Sequence, residues 1–139
     1  MNPSPRTTRR QLLQRAASAA ALGVAAPALL GGCAGRDPAP DFTYTGLDGK
    51  PGNTQALRGK VVLVNFWATS CVTCVAEMPQ LMATHDKYKA RGYDTLAVAM
   101  SYDPPAYVSR FAESRKLPFG VVIDNTGAIA KAYGDVSIT

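Results

Sequence analysis

Apolar residues fall into two kinds of run along this chain. Val61 to Phe66 is almost continuously apolar, the pattern of a central strand covered on both faces, and Thr95 to Met100 reads as a second buried strand. Between them the period changes. Val75, Met78, Leu81, Met82 and Tyr88 recur at three- and four-residue spacing, which predicts a helix with one stripe on the sheet and Glu77, Lys87 and Lys89 in water. Its predicted end is Gly92, with Lys89 and Arg91 in the last turn where cations suit the dipole. His85 falls on or beside the stripe and reads as a partly buried structural histidine.

Further on, Asp103 reads as the cap of a second helix and Pro104 as its first residue, with Tyr107, Val108 and Phe111 as the packing stripe up to Leu117. Val121 to Ile123 is a short extended piece, followed by the turn Asp124-Asn125-Thr126-Gly127 and a brief helix to Tyr133. Ahead of the first strand, Asp48-Gly49 signals a hairpin turn.

The first 32 residues follow neither pattern. Arg6, Arg9, Arg10 and Arg15 precede a small-residue apolar stretch from Ala16 to Leu30, too short and too alanine-rich to span a bilayer. This predicts an export signal peptide, residues 1–32, rather than part of a fold. Thr8-Arg9-Arg10-Gln11-Leu12-Leu13 resembles a twin-arginine export motif, with an ordinary basic-start signal as the alternative. Leu30-Gly31-Gly32-Cys33 resembles a lipobox, so Cys33 is expected to carry a lipid at the start of the mature chain. Residues 33–40, a short stretch containing Pro and Gly, would then tether residues 41–139 to a membrane.

That reading changes the charge. The chain's net +5 includes the four signal arginines and no signal carboxylate, so the remainder carries eleven basic and ten acidic residues, a net charge of +1. Nothing in that balance calls for nucleic acid.

The chemistry lies where the first strand turns into the first helix. Cys71 and Cys74 are one helical turn apart, a spacing that satisfies the Cα separation of a disulfide without backbone movement. Unpaired N–H groups and the helix dipole at that end favour a thiolate, which makes Cys71 the expected attacking sulfur and Cys74 the resolving one. A structural staple is a poor alternative, since closing so short a loop removes only about 2 kcal/mol of unfolded-state entropy. Structural zinc would need two more ligands, and beyond these two cysteines the chain offers only Cys33 and His85. Haem attachment would need His where Val75 stands.

The run FWATSCVTCVAEMP resembles the active-site segment of the TlpA/ResA group of membrane-anchored thiol-disulfide oxidoreductases in the thioredoxin superfamily, and the resemblance extends from about Phe42 to Thr139. It implies an α/β, thioredoxin-like fold: a central mixed sheet flanked by helices. Relative to the group, a cis-proline loop, the C-terminal β-hairpin and the last helix are expected to be missing, which would leave a strand edge open and the domain marginal or prone to aggregate.

The resemblance also implies roles. Glu77, the nearest carboxylate in sequence, would take or tune the proton of Cys74, because Asn65 stands where general thioredoxins carry a buried acid. Trp67 would cover the dithiol rather than bind substrate. Pro79 would kink the helix. Thr73, where the group usually has Pro, adds an N–H and a hydroxyl near the sulfurs, and Ser70 replaces a common second Trp. No cofactor beyond a redox-active Cys71–Cys74 disulfide is implied. Expected partners are exported protein thiols and disulfides, apocytochrome c among them, and a thiol-transferring membrane protein as electron donor. A net oxidant, a Cu(I) dithiol carrier and a truncated lipoprotein without turnover are the competing readings, although no Met or His cluster accompanies the pair.

Overall fold

A computed structural model describes residues 38–138. The expected signal peptide, Cys33 and most of the tether therefore lie outside the described residues.

Two short strands, β1 (Thr43–Thr45) and β2 (Pro51–Asn53), pair antiparallel around the Asp48-Gly49 turn. Gly49 takes φ 77°, a left-handed conformation that glycine adopts without Cβ strain. Asp48 Oδ1 accepts from the Lys50 N–H at 3.1 Å and fixes the same turn. The apolar runs form β3 (Val61–Trp67) and β4 (Tyr93–Ala99), parallel and in register from Val61 opposite Tyr93 to Trp67 opposite Ala99. A fifth strand, β5 (Gly120–Ile123), lies parallel on the other side of β4. The hairpin joins β5 through an antiparallel bridge between Gly46 and Val122, supported by the Leu47 N–H donating to the Val121 carbonyl at 3.0 Å. The sheet is thus mixed.

Helix α1 (Val72–Tyr88) follows β3, as the three-and-four spacing predicts. It ends before Gly92: Lys89–Arg91 tighten into a 3-10 turn, and Gly92 at φ 81° then leaves the helix. Helix α2 (Pro105–Arg115) stops short of Leu117, because Lys116 turns left-handed at φ 52°. The brief α3 (Ala128–Ala132) is held by Asp124, whose buried carboxylate accepts from the Ile129 and Ala130 N–H groups at 3.2 and 2.8 Å. The sequence marked Asp124 only as a turn residue.

The core has two halves, one on each face of the sheet. Trp67, Met78, Ala97, Ala99, Val108, Phe119 and Val121 form one, under α1 and α2. Leu96, Val98, Val122 and Ile129 form the other, covered by Phe42, Tyr44 and Tyr133. His85 is buried, its ring edge-on to Phe119 with centroids 5.6 Å apart, and its Nδ1 has no partner among the described residues. This agrees with a structural histidine.

Three expectations need correction. Tyr107 does not join the α2 packing stripe: it is 59% exposed, whereas its neighbour Val108 is fully buried. Strand β3 is not central among the described residues: its order in the sheet is β3-β4-β5, so it pairs on one edge only, and most of its residues are half-buried rather than buried. An apolar run reports what a strand could bury and does not report how many neighbours it has. Asp103 does not cap α2. Pro104 occupies the cap position without a side-chain bond, and the Asp103 carboxylate points elsewhere.

Candidate active site

Strand β3 ends at Trp67, and five residues later, at Val72, the chain is helical. The Cys71 N–H donates to the Ala68 carbonyl at 3.1 Å, closing a tight turn, and Cys71 itself is the N-cap of α1 with φ −84° and ψ 101°. Its backbone is extended while the next residue is helical, so the side chain folds over the free amides of the first turn. Its sulfur accepts from the Cys74 N–H at 3.2 Å. Cys71 thus takes the place usually held by Ser or Asp, with a sulfur in place of the capping oxygen.

The two cysteines are joined as a disulfide with a Cα separation of 5.3 Å. The spacing argument made from sequence is met. Thr73 places its hydroxyl 3.4 Å from the Cys71 sulfur and, with no hydrogen left on a bonded sulfur, is the donor. The departure from the expected Pro therefore adds a donor to the sulfur that would carry charge.

Exposure does not single out Cys71. It is 8% exposed, whereas Cys74 is half-buried and packs against the Trp67 side of the core. What distinguishes Cys71 is the amide aimed at its sulfur. Trp67 is fully buried behind the pair, its ring 5.1 Å from Phe111, and its Nε1 has no partner among the described residues. Asn65 is held in β3 opposite Ala97. Glu77 lies one turn beyond Cys74 on the exposed side of α1. Helix α1 runs on through Pro79, which cannot donate to the Val75 carbonyl.

One neighbour escaped the sequence reading. Asp103, buried at 3% exposure on the loop between β4 and α2, accepts from both the Thr69 N–H and the Thr69 hydroxyl, each at 2.6 Å. Thr69 is two residues before Cys71. Beside it a shallow groove of about 350 Å³ runs between Thr69 and the α2 residues Tyr107, Arg110, Phe111 and Ser114.

Comparison with known proteins agrees with this geometry. Residues 34–138 match the Redoxin family. The thiol-disulfide oxidoreductase ResA of Geobacillus thermodenitrificans is 38% identical over 69% of this chain and 55% of its own length. ResA of Geobacillus kaustophilus is 40% identical over 68% and 54%. The crystal structure of a thioredoxin-family thiol:disulfide interchange protein from Chlorobium tepidum TLS superposes with a TM-score of 0.68 at 29% identity, covering 76% of this chain and 74% of that one. The fold is thioredoxin-like. The chain spans about half the length of the curated relatives it matches.

Proposed function

The chain belongs to the Redoxin family, as a protein of ResA/TlpA type, and on that premise we propose that it is an exported thiol-disulfide oxidoreductase that reduces disulfides of other exported proteins. The observation that carries this reading is the Cys71 sulfur at the N-cap of α1, accepting from the Cys74 amide. A charge on that sulfur gains more from the amide and the helix dipole than a neutral thiol does.

The chemistry then runs in two displacements. The Cys71 thiolate attacks one sulfur of a substrate disulfide, forming a mixed disulfide and releasing a substrate thiolate, which takes up a proton. Cys74, losing its proton to Glu77 or to water at that exposed face, attacks the Cys71 sulfur and releases the second substrate thiolate. The substrate gains two electrons and the protein is left with the Cys71–Cys74 bond. A thiol-transferring membrane protein would restore the dithiol. Residues 1–32 would direct export and a lipid on Cys33 would hold the domain at a membrane. Apocytochrome c is a candidate substrate by resemblance.

Insulin-disulfide reduction driven by dithiothreitol tests the activity. The full chain should accelerate it and Cys71→Ser should abolish the acceleration; equal rates for the two would overturn the proposal. The order of the sulfurs is tested separately. Cys74→Ser should accumulate a mixed disulfide through Cys71, and the reverse pattern, trapping only in Cys71→Ser, would exchange the two roles.

A further inference from the structure

Two carboxylates are buried among the described residues. Asp124 is accounted for, since it caps α3. Asp103 caps nothing, and its oxygens reach back 34 residues to Thr69. Taking a carboxylate out of water costs several kcal/mol unless hydrogen bonds replace the lost hydration. Thr69 supplies two short, charge-assisted ones, from its amide and its hydroxyl.

The residue that Asp103 grips lies inside the turn that delivers Cys71 to the helix. That turn has one backbone bond of its own, from the Cys71 N–H to the Ala68 carbonyl. The grip has a fixed base. The Asp103 N–H donates to the Met100 carbonyl at 3.0 Å, and the Met100 N–H donates to the Trp67 carbonyl at 2.9 Å. A closed ring of bonds therefore runs from the end of β3 through Met100 and Asp103 to Thr69 and back along the chain to Trp67.

We propose that Asp103 is a positioning residue for Cys71: by holding Thr69 at both donors it fixes the Ala68–Cys71 turn and keeps the Cys71 sulfur within reach of the Cys74 amide. The role is geometric and works against the charge. A carboxylate near a thiolate disfavours it, so a residue present for its field would push the thiol the wrong way. The proposal rests on the reading of Cys71 as the nucleophile, and it adds the residue that sets that sulfur's position.

Two substitutions separate grip from charge. Asp103→Asn can keep both contacts, its oxygen accepting from the Thr69 N–H and its amide donating to the Thr69 oxygen, while losing the charge. Asp103→Ala loses both. The measurement is the pH dependence of iodoacetamide alkylation at Cys71, followed by mass spectrometry of its peptide in the reduced full chain carrying Cys74→Ser. The Cys71 thiol in Asp103→Ala should titrate about one unit above that in Asp103→Asn, a roughly tenfold fall in its acid dissociation constant. Equal titrations in the two variants, or the reverse order, would overturn the proposal. Should Asp103→Ala fail to fold, Thr69→Val carries the test. Losing the hydroxyl contact alone should raise the Cys71 titration by a smaller amount, and an unchanged curve would overturn the proposal. Alkylation reads position without turnover. A chain that leaves insulin intact but shows the expected order loses the proposed function and keeps the positioning role.

Discussion

Strands β3 and β4 have the same length and similar apolar content, yet they have opposite surroundings. β4 is paired on both edges and is buried from Thr95 to Ala99. Among the described residues β3 is paired on β4 alone, half-buried, with Val61 71% exposed. Bonds to the β4 side leave from Val61, whose N–H donates to the Gly92 carbonyl, and from Trp67, whose carbonyl accepts from Met100. By the two-residue alternation of a parallel strand, the N–H and C=O groups of Val62, Val64 and Phe66 then face the other edge. The lesson is that one strand holds the fold and the other presents the chemistry. The dithiol is attached to the end of the less enclosed strand, and the bonds from Met100 and Asp103 tie that end back to the loop that follows β4.

The comparison can be broken most directly with a buried charge. Val98 is fully buried in β4, and Val98→Asp places an unpaired carboxylate in the core, which should cost more than about 4 kcal/mol and abolish cooperative unfolding in urea. Val62→Asp, on the half-buried strand, should cost only about 1–2 kcal/mol and leave a measurable transition. Equal losses at the two positions would mean that β3 is as enclosed as β4. Amide hydrogen exchange sharpens the same contrast without mutation. The amides of Val62, Val64 and Phe66 should exchange at least roughly a hundredfold faster than those of Leu96 to Ala99, because their donors face an unpaired edge. Comparable protection along both strands would show that something covers β3 in solution.

Much of this arrangement was legible in the sequence. The change of period between Phe66 and Val75 located the handover from strand to helix, and the Cys71–Cys74 spacing placed both sulfurs at it, because both signals are local. Asp103 was not legible. An Asp before two prolines and an amphipathic stripe has the local form of a helix cap, and its actual partner, 34 residues away, leaves no periodic trace. The open edge of β3 was expected only through the family resemblance, which leaves a strand unpaired where the hairpin is missing; the apolar run could not show it, because hydrophobicity is a property of the residue, whereas the number of neighbouring strands belongs to the topology. Thr73 lies between these cases. Its departure from the group's usual Pro flagged a new donor near the sulfurs, and the 3.4 Å contact with Cys71 is that donor.

The smallest expected effect concerns what covers the face of β3. Tyr133 stacks edge-on against Phe66 with centroids 5.6 Å apart, and Tyr44 packs in the same cluster. Desolvation raises the phenol of each above its usual 10.0, and Asp94 adds to the rise at Tyr44. The folded state therefore favours the neutral phenol. Its contribution is fully present below pH 10 and is lost as pH rises through the raised folded value. The urea midpoint should accordingly hold between pH 8 and about pH 10 and fall above it. Tyr133→Phe should make that fall shallower, since a ring without a hydroxyl has no charge to desolvate. Both tyrosines are only half-buried, and they cover Leu96 and Val98 of β4 as well as Phe66 of β3, so the change is slight. An alkaline fall as steep in the double variant Tyr44→Phe/Tyr133→Phe as in the parent would assign the effect to other groups and leave the cover of β3 insensitive to pH.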